Sequence, residues 1–152
     1  MNIVLHTPEI PDNTGNIGRT CMATHSRLHL IEPIGFQLSD RALKRAGMDY
    51  WKEVDCKRYI NFRDFMDKCA PGRLWMFSTK AKRSYTEARF MPDDYLMFGR
   101  EGGGIPEELL ALDPAHCLRI PMLAGARSLN LANSVAIVLY EALRQNGFPG
   151  LI

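Results

Sequence analysis

The sequence predicts an α/β domain: a mostly parallel sheet with helices on both faces. Short apolar runs alternate with helical patterns along the chain. The apolar runs are nearly continuous instead of alternating with polar residues, which suits strands covered on both sides. No repeat, low-complexity tract or long linker interrupts the 152 residues, so the reading is one domain, 1–152.

Asn2-Ile3-Val4-Leu5-His6 reads as the first strand and Arg27-Leu28-His29-Leu30-Ile31 as the second. A weaker, partly alternating candidate is Glu53-Val54-Asp55-Cys56-Lys57-Arg58-Tyr59. Leu74-Trp75-Met76-Phe77-Ser78, Tyr95-Leu96-Met97-Phe98 and Cys117-Leu118-Arg119-Ile120 complete the set. Helical patterns fall at about residues 15–25, 39–47, 61–70, 106–112 and 129–146. Ser39-Asp40 and Asn61 suit N-caps, Gly47 and Gly147 suit stops, and Pro106 suits a first helical turn.

A net charge of +2 offers no global field for nucleic acid, so such contacts must come from local clusters. Two exist, Arg41-Lys44-Arg45 and Lys80-Lys82-Arg83, and each alone reads as a solvated face. Cys21, Cys56, Cys69 and Cys117 are scattered without a CxxC pair, which argues against zinc and against a disulfide framework. They read as reduced, small apolar residues. With no membrane-length apolar run and a first strand starting at once, the expected location is the cytoplasm.

The polar start of the last helix is the most telling segment. Arg127-Ser128-Leu129-Asn130-Leu131-Ala132-Asn133-Ser134 precedes an almost wholly apolar Ile137-Val138-Leu139-Tyr140-Glu141-Ala142-Leu143. Ser128 or Asn130 would suffice as a cap, so the remaining polar groups point to a ligand at the helix start. Apolar residues all round the helix imply burial on more than one side.

Ligands of parallel α/β sheets gather beyond the carboxyl ends of the strands. Two further loops lie there. Pro8 to Arg19 follows the first strand and is neither a dinucleotide fingerprint nor a P-loop. Phe98-Gly99-Arg100-Glu101-Gly102-Gly103-Gly104 follows the fifth, and three consecutive glycines exceed what a plain turn needs.

Together these loops resemble the SPOUT class of RNA methyltransferases, in its SpoU branch of ribose 2′-O-methyltransferases. Asn13-Thr14-Gly15-Asn16-Ile17-Gly18-Arg19 matches that branch's Asn-x-Gly-x-x-x-Arg motif. Gly99-Arg100-Glu101-Gly102-Gly103-Gly104 matches Gly-x-Glu-x-x-Gly, and Ile120-Pro121-Met122 with Ser128 to Ser134 matches the third. Pro8-Glu9-Ile10-Pro11, Leu28 to Pro33, Asp94 to Gly99 and Tyr140-Glu141-Ala142 extend the likeness to the minimal TrmL-like (YibK-like) tRNA methyltransferases. His6-Thr7 departs from the usual Tyr-Glu, Arg100 from Pro, and Gly102-Gly103 from a Thr-Arg-like pair.

The resemblance implies a C-terminal trefoil knot and S-adenosylmethionine as methyl donor, with no metal. It places Phe77, Gly99, Ile120, Met122, Ser128 and Leu129 at the cofactor and makes Arg19 catalytic. A guanidinium is not deprotonated in proteins, so the chemistry favours Arg19 as an orienting or charge-stabilising group over a base. Glu101 either offsets local positive charge or fixes the glycine loop. The implied substrate is the ribose of the wobble nucleotide 34 (cytidine or modified uridine) in the tRNA anticodon stem-loop, leucine tRNAs foremost. Another tRNA position, ribosomal RNA, or a non-catalytic nucleotide- or RNA-binding module are the alternatives. A homodimer is implied, with Arg127, Tyr140, Arg144 and the Arg41–Arg45 cluster as candidates to touch RNA.

Overall fold

The computed structural model describes residues 1–37 and 49–152. The predicted helix at 39–47, its caps and the Arg41–Arg45 cluster lie outside the described residues. Among the described residues seven strands form one sheet in the order β3-β2-β1-β6-β4-β7-β5, and every pairing between them is parallel. They are β1 Asn2–His6, β2 Arg27–Ile31, β3 Cys56–Tyr59, β4 Leu74–Phe77, β5 Arg83–Ser84, β6 Tyr95–Phe98 and β7 Cys117–Arg119. Among the described residues the helices are α1 Pro11–Ala23, α2 Phe62–Cys69, α3 Glu107–Leu110 and α4 Leu131–Gln145.

The continuous apolar runs divide between two faces by the strand period of two. Ile3, Leu5, Leu28, Leu30, Trp75, Phe77, Leu96, Phe98 and Leu118 pack against Ile17 and Cys21 of α1 and against Leu131 to Leu143 of α4. Val4, Ile31, Tyr59, Met76, Met97 and Cys117 face the other way, onto Phe65 of α2 and Leu109 and Leu110 beside it. The predicted layering holds.

Element boundaries differ from the sequence reading where long-range partners decide them. Helix α1 begins at Pro11, four residues before the expected start, and runs through Gly15 and Gly18. A Cβ on Gly18 would lie 2.7 Å from the Trp51 ring, so the glycine admits an indole to the helix surface. Strand β3 starts at Cys56, because Asp49–Glu53 forms a 3-10 turn against α1. Strand β5, two residues paired with Leu118 and Arg119, carries no apolar signal and was not foreseen.

Asn61 caps α2 as expected, its side chain accepting from the Asp64 N–H at 2.8 Å. Gly147 follows the end of α4 with φ +72°. Among the described residues no helix is long and apolar enough to cross a membrane. All four cysteines are free thiols, and burial pushes Cys21 and Cys56 up to about 12.

His29, 1% exposed in β2, is the core's one imidazole. Its Nδ1 lies 2.8 Å from the Tyr59 hydroxyl and its Nε2 3.3 Å from Asn2 Oδ1. Burial first, then the cations of Arg27 and Lys57, push it down to about 4 from 6.5. The unfolded chain therefore takes up the proton first as pH falls. Stability is expected to drop by up to about 3 kcal/mol between pH 6.5 and 4. Urea unfolding of the wild type and His29→Gln across that range checks this: the variant should lose that slope. Coincident slopes would remove His29 as its source.

Candidate active site

The carboxyl ends of β4, β6 and β7 lie side by side, with Phe77 opposite Phe98 in one ladder and opposite Leu118 in the next. The Phe77 and Phe98 rings stack at 4.8 Å and 12°, making an apolar floor. Above it opens a cavity of about 710 Å³, walled by the glycine loop on one side and residues 120–131 on another. Phe77, Gly99, Ile120, Met122, Ser128 and Leu129, all six predicted cofactor contacts, line it.

Gly99 is required by shape. A Cβ there would lie 2.0 Å from the carbonyl carbon of Gly104, so no side chain fits the closed loop. The Gly104 N–H closes that loop onto the Arg100 carbonyl at 2.8 Å, with Gly104 itself at φ +68°.

Glu101 resolves the choice its motif left open. One carboxylate oxygen accepts from the Glu9 N–H at 2.8 Å, the other from the Ile10 N–H at 3.2 Å and from Asn13 Nδ2 at 3.0 Å. Ile10, the N-cap residue, offers no side-chain cap, so a carboxylate ninety residues away serves the start of α1. Glu9 returns the tie by accepting from the Gly102 N–H at 2.8 Å. The glycine loop and the first loop are clamped to each other.

Asn13 joins the third motif to this clamp. A carboxylate only accepts, so the Asn13 amide nitrogen faces Glu101 and its oxygen faces away. That oxygen accepts from Asn130 Nδ2 at 2.9 Å. Asn130 Oδ1 in turn accepts from the Asn133 N–H at 3.2 Å and caps α4. Asn130 is the cap; Ser128 is left exposed on the cavity wall.

Arg19 stands apart from the cavity lining. It is exposed on α1, six residues or about 9 Å of helix rise beyond Asn13. Its guanidinium lies over the Tyr50 ring at 4.7 Å from the centroid, and the Tyr50 hydroxyl donates to the Gly15 carbonyl at 2.8 Å. Tyr50 was absent from the sequence reading; the aromatic pair Tyr50-Trp51 was its only signal. Among the described residues no carboxylate pairs with Arg19, Arg100 or Arg127.

The other predicted RNA contacts divide. Arg127 is exposed on the cavity rim, and Tyr140 is 47% exposed on α4. Arg144 is engaged by Glu141 at 2.8 and 2.9 Å. In the second basic cluster, Lys80 pairs with Glu107 at the cavity edge. Arg83 donates to the carbonyls of Ala115 and Glu87 at 3.3 and 2.8 Å.

The profile of the SpoU rRNA Methylase family matches residues 1–140. The chain belongs to the SpoU methylase family. Among its relatives, a tRNA (cytidine(34)-2′-O)-methyltransferase of Saccharophagus degradans is 49% identical, over 98% of this chain and 97% of that protein. The protein of the same name from Escherichia coli K12 is 46% identical over 100% and 98%. A solved structure presented as insight into the 2-OH methylation of C/U34 on tRNA superposes with a TM-score of 0.87 at 48% identity, covering 96% and 95% of the two chains. The AdoMet-bound rRNA methyltransferase of Sinorhizobium meliloti superposes at 0.80 with 28% identity, over 94% of this chain and 55% of that one. In SpoU terms, then, the structure brings the three motif loops to one cavity and ties them through a single asparagine.

Proposed function

We propose that this chain transfers a methyl group from S-adenosylmethionine to the ribose 2′-oxygen of nucleotide 34 in tRNA. One observation carries the reading: three separate motif loops converge on one cavity, clamped by Glu101 and Asn13. The cavity volume of about 710 Å³ lies in the range of small-molecule sites. The stacked phenylalanine floor and the side-chain-free backbone at Gly99 suit a flat heterocycle with a few directed hydrogen bonds. Phe77, Gly99, Ile120, Met122, Ser128 and Leu129 would hold the cofactor, which supplies an electrophilic methyl. Arg19, positively charged and held against Tyr50, would orient a substrate phosphate and stabilise negative charge developing on the 2′-oxygen. A substrate phosphate oxygen would take the hydroxyl proton.

The same reading includes a homodimer and the family's trefoil knot. Exposed apolar groups on and beside α4, Ile137 at 38% and Tyr140 at 47%, supply the dimer surface. A tRNA substrate puts the enzyme in the cytoplasm.

Mass mapping of 2′-O-methylation in tRNA from cells with and without the gene tests the substrate. Loss confined to nucleotide 34 is expected, first in leucine tRNAs. Loss in ribosomal RNA, or unchanged RNA of both kinds, would refute it.

A further inference from the structure

Where this chain departs from its family's second motif, the departures are joined in space. Arginine replaces the usual proline at 100, and glycine replaces the arginine-like residue at 103. The Arg100 guanidinium folds across the backbone of Gly103: a Cβ on Gly103 would lie 2.7 Å from Arg100 Nε and 3.0 Å from Nη2. The pose therefore depends on glycine at 103. The loop beneath it is closed by the Gly104–Arg100 hydrogen bond at 2.8 Å, and Gly102 is held by Glu9.

Arg100 is exposed, lies on the cavity rim, and has no carboxylate partner among the described residues, whereas neighbouring Lys80 is taken by Glu107. Its charge reaches the end of β1, where after burial it contributes most to lowering the His6 pKa. A planar fork of donors, placed at the mouth of a site and left without an anion among the described residues, matches the geometry of a phosphate. Any nucleotide whose ribose enters the cavity carries a phosphate to that mouth.

We propose that Arg100 is a substrate-binding residue that grips an RNA phosphate at the cavity rim, and that Gly103 is the gap that admits its guanidinium. The inference rests on the RNA-methylation reading above.

The test uses the full chain and a synthetic anticodon stem-loop. RNA affinity is measured across a salt series, S-adenosylmethionine affinity by calorimetry, and KM and kcat by methyl transfer. Arg100→Ala should weaken RNA binding roughly tenfold, as one charge-assisted contact would, and raise KM with little change in kcat. The slope of log affinity against log salt should become shallower by about 0.7 to 0.9, one phosphate contact, with cofactor affinity unchanged. Gly103→Ala should reproduce part of the loss with the arginine still present. Adding Gly103→Arg to Arg100→Ala should restore the slope.

An unchanged slope in Arg100→Ala overturns the proposal. So does a drop in cofactor affinity with RNA affinity intact, which would turn the guanidinium toward the cofactor's carboxylate. If the wild type binds RNA but does not methylate nucleotide 34, the functional reading fails while the binding series still decides the role of Arg100.

Discussion

Arg19→Ala is expected to lower kcat for methyl transfer by roughly a hundred- to a thousand-fold, the usual cost of removing one group that stabilises developing charge. Calorimetry should show S-adenosylmethionine binding unchanged, because Arg19 lies outside the cavity lining on the exposed side of α1. Arg19→Lys should recover little if a bidentate grip on phosphate matters, since an ammonium offers no planar fork. Loss of cofactor binding in step with loss of activity would remove the catalytic assignment. The stacking of the guanidinium on Tyr50 gives a control. Without that ring the charge remains but its position loosens, so Tyr50→Leu should fall between the wild type and Arg19→Ala.

Glu101→Ala is expected to cost about 2–3 kcal/mol of stability and most of the activity. Its carboxylate accepts from two backbone N–H groups and one side-chain amide, all at the start of α1. Hydrogen bonds to a charged acceptor contribute about 1.5–3 kcal/mol each, but this carboxylate is only half-buried and water would replace part of the loss. Glu101→Gln keeps one acceptor oxygen and should cost about half as much. Urea unfolding and transfer rates on the same preparations check both figures. A Glu101→Ala protein with wild-type stability and full activity would show that the clamp does not hold the site.

Much of this fold was legible in the sequence because its signals are local. Apolar runs such as Leu96-Met97-Phe98 need only their own residues to be read as doubly covered strands, and both faces are covered. The site loops were legible for a related reason: glycine-rich and polar segments at strand ends are recognisable without knowing what they touch. The start of α1 was not, because its cap comes from Glu101 in the loop after the neighbouring strand β6, distant in sequence, and its glycines serve Trp51 and Tyr50. Asn13 was legible as a motif position but not as a joint; that role exists only once Glu101 and Asn130 stand on either side. Strand β5 escaped notice because two polar residues form it through pairing alone. Contacts between distant segments decided each of these points.

The double tie between Glu9 and the Glu101-Gly102 segment also bears on how a ligand would enter. Two walls of the cavity, the first loop and the glycine loop, are bolted together and must move as one. The third wall is built differently: Pro121 to Leu129 is exposed at nearly every residue, Leu123 by 88%, and its internal backbone closure is a single turn at 3.1 Å from Ala126 to Leu123. Opening that wall disturbs few buried contacts, whereas opening either of the others breaks the clamp. A ligand that has to displace a wall therefore meets least resistance on the side of residues 121–129.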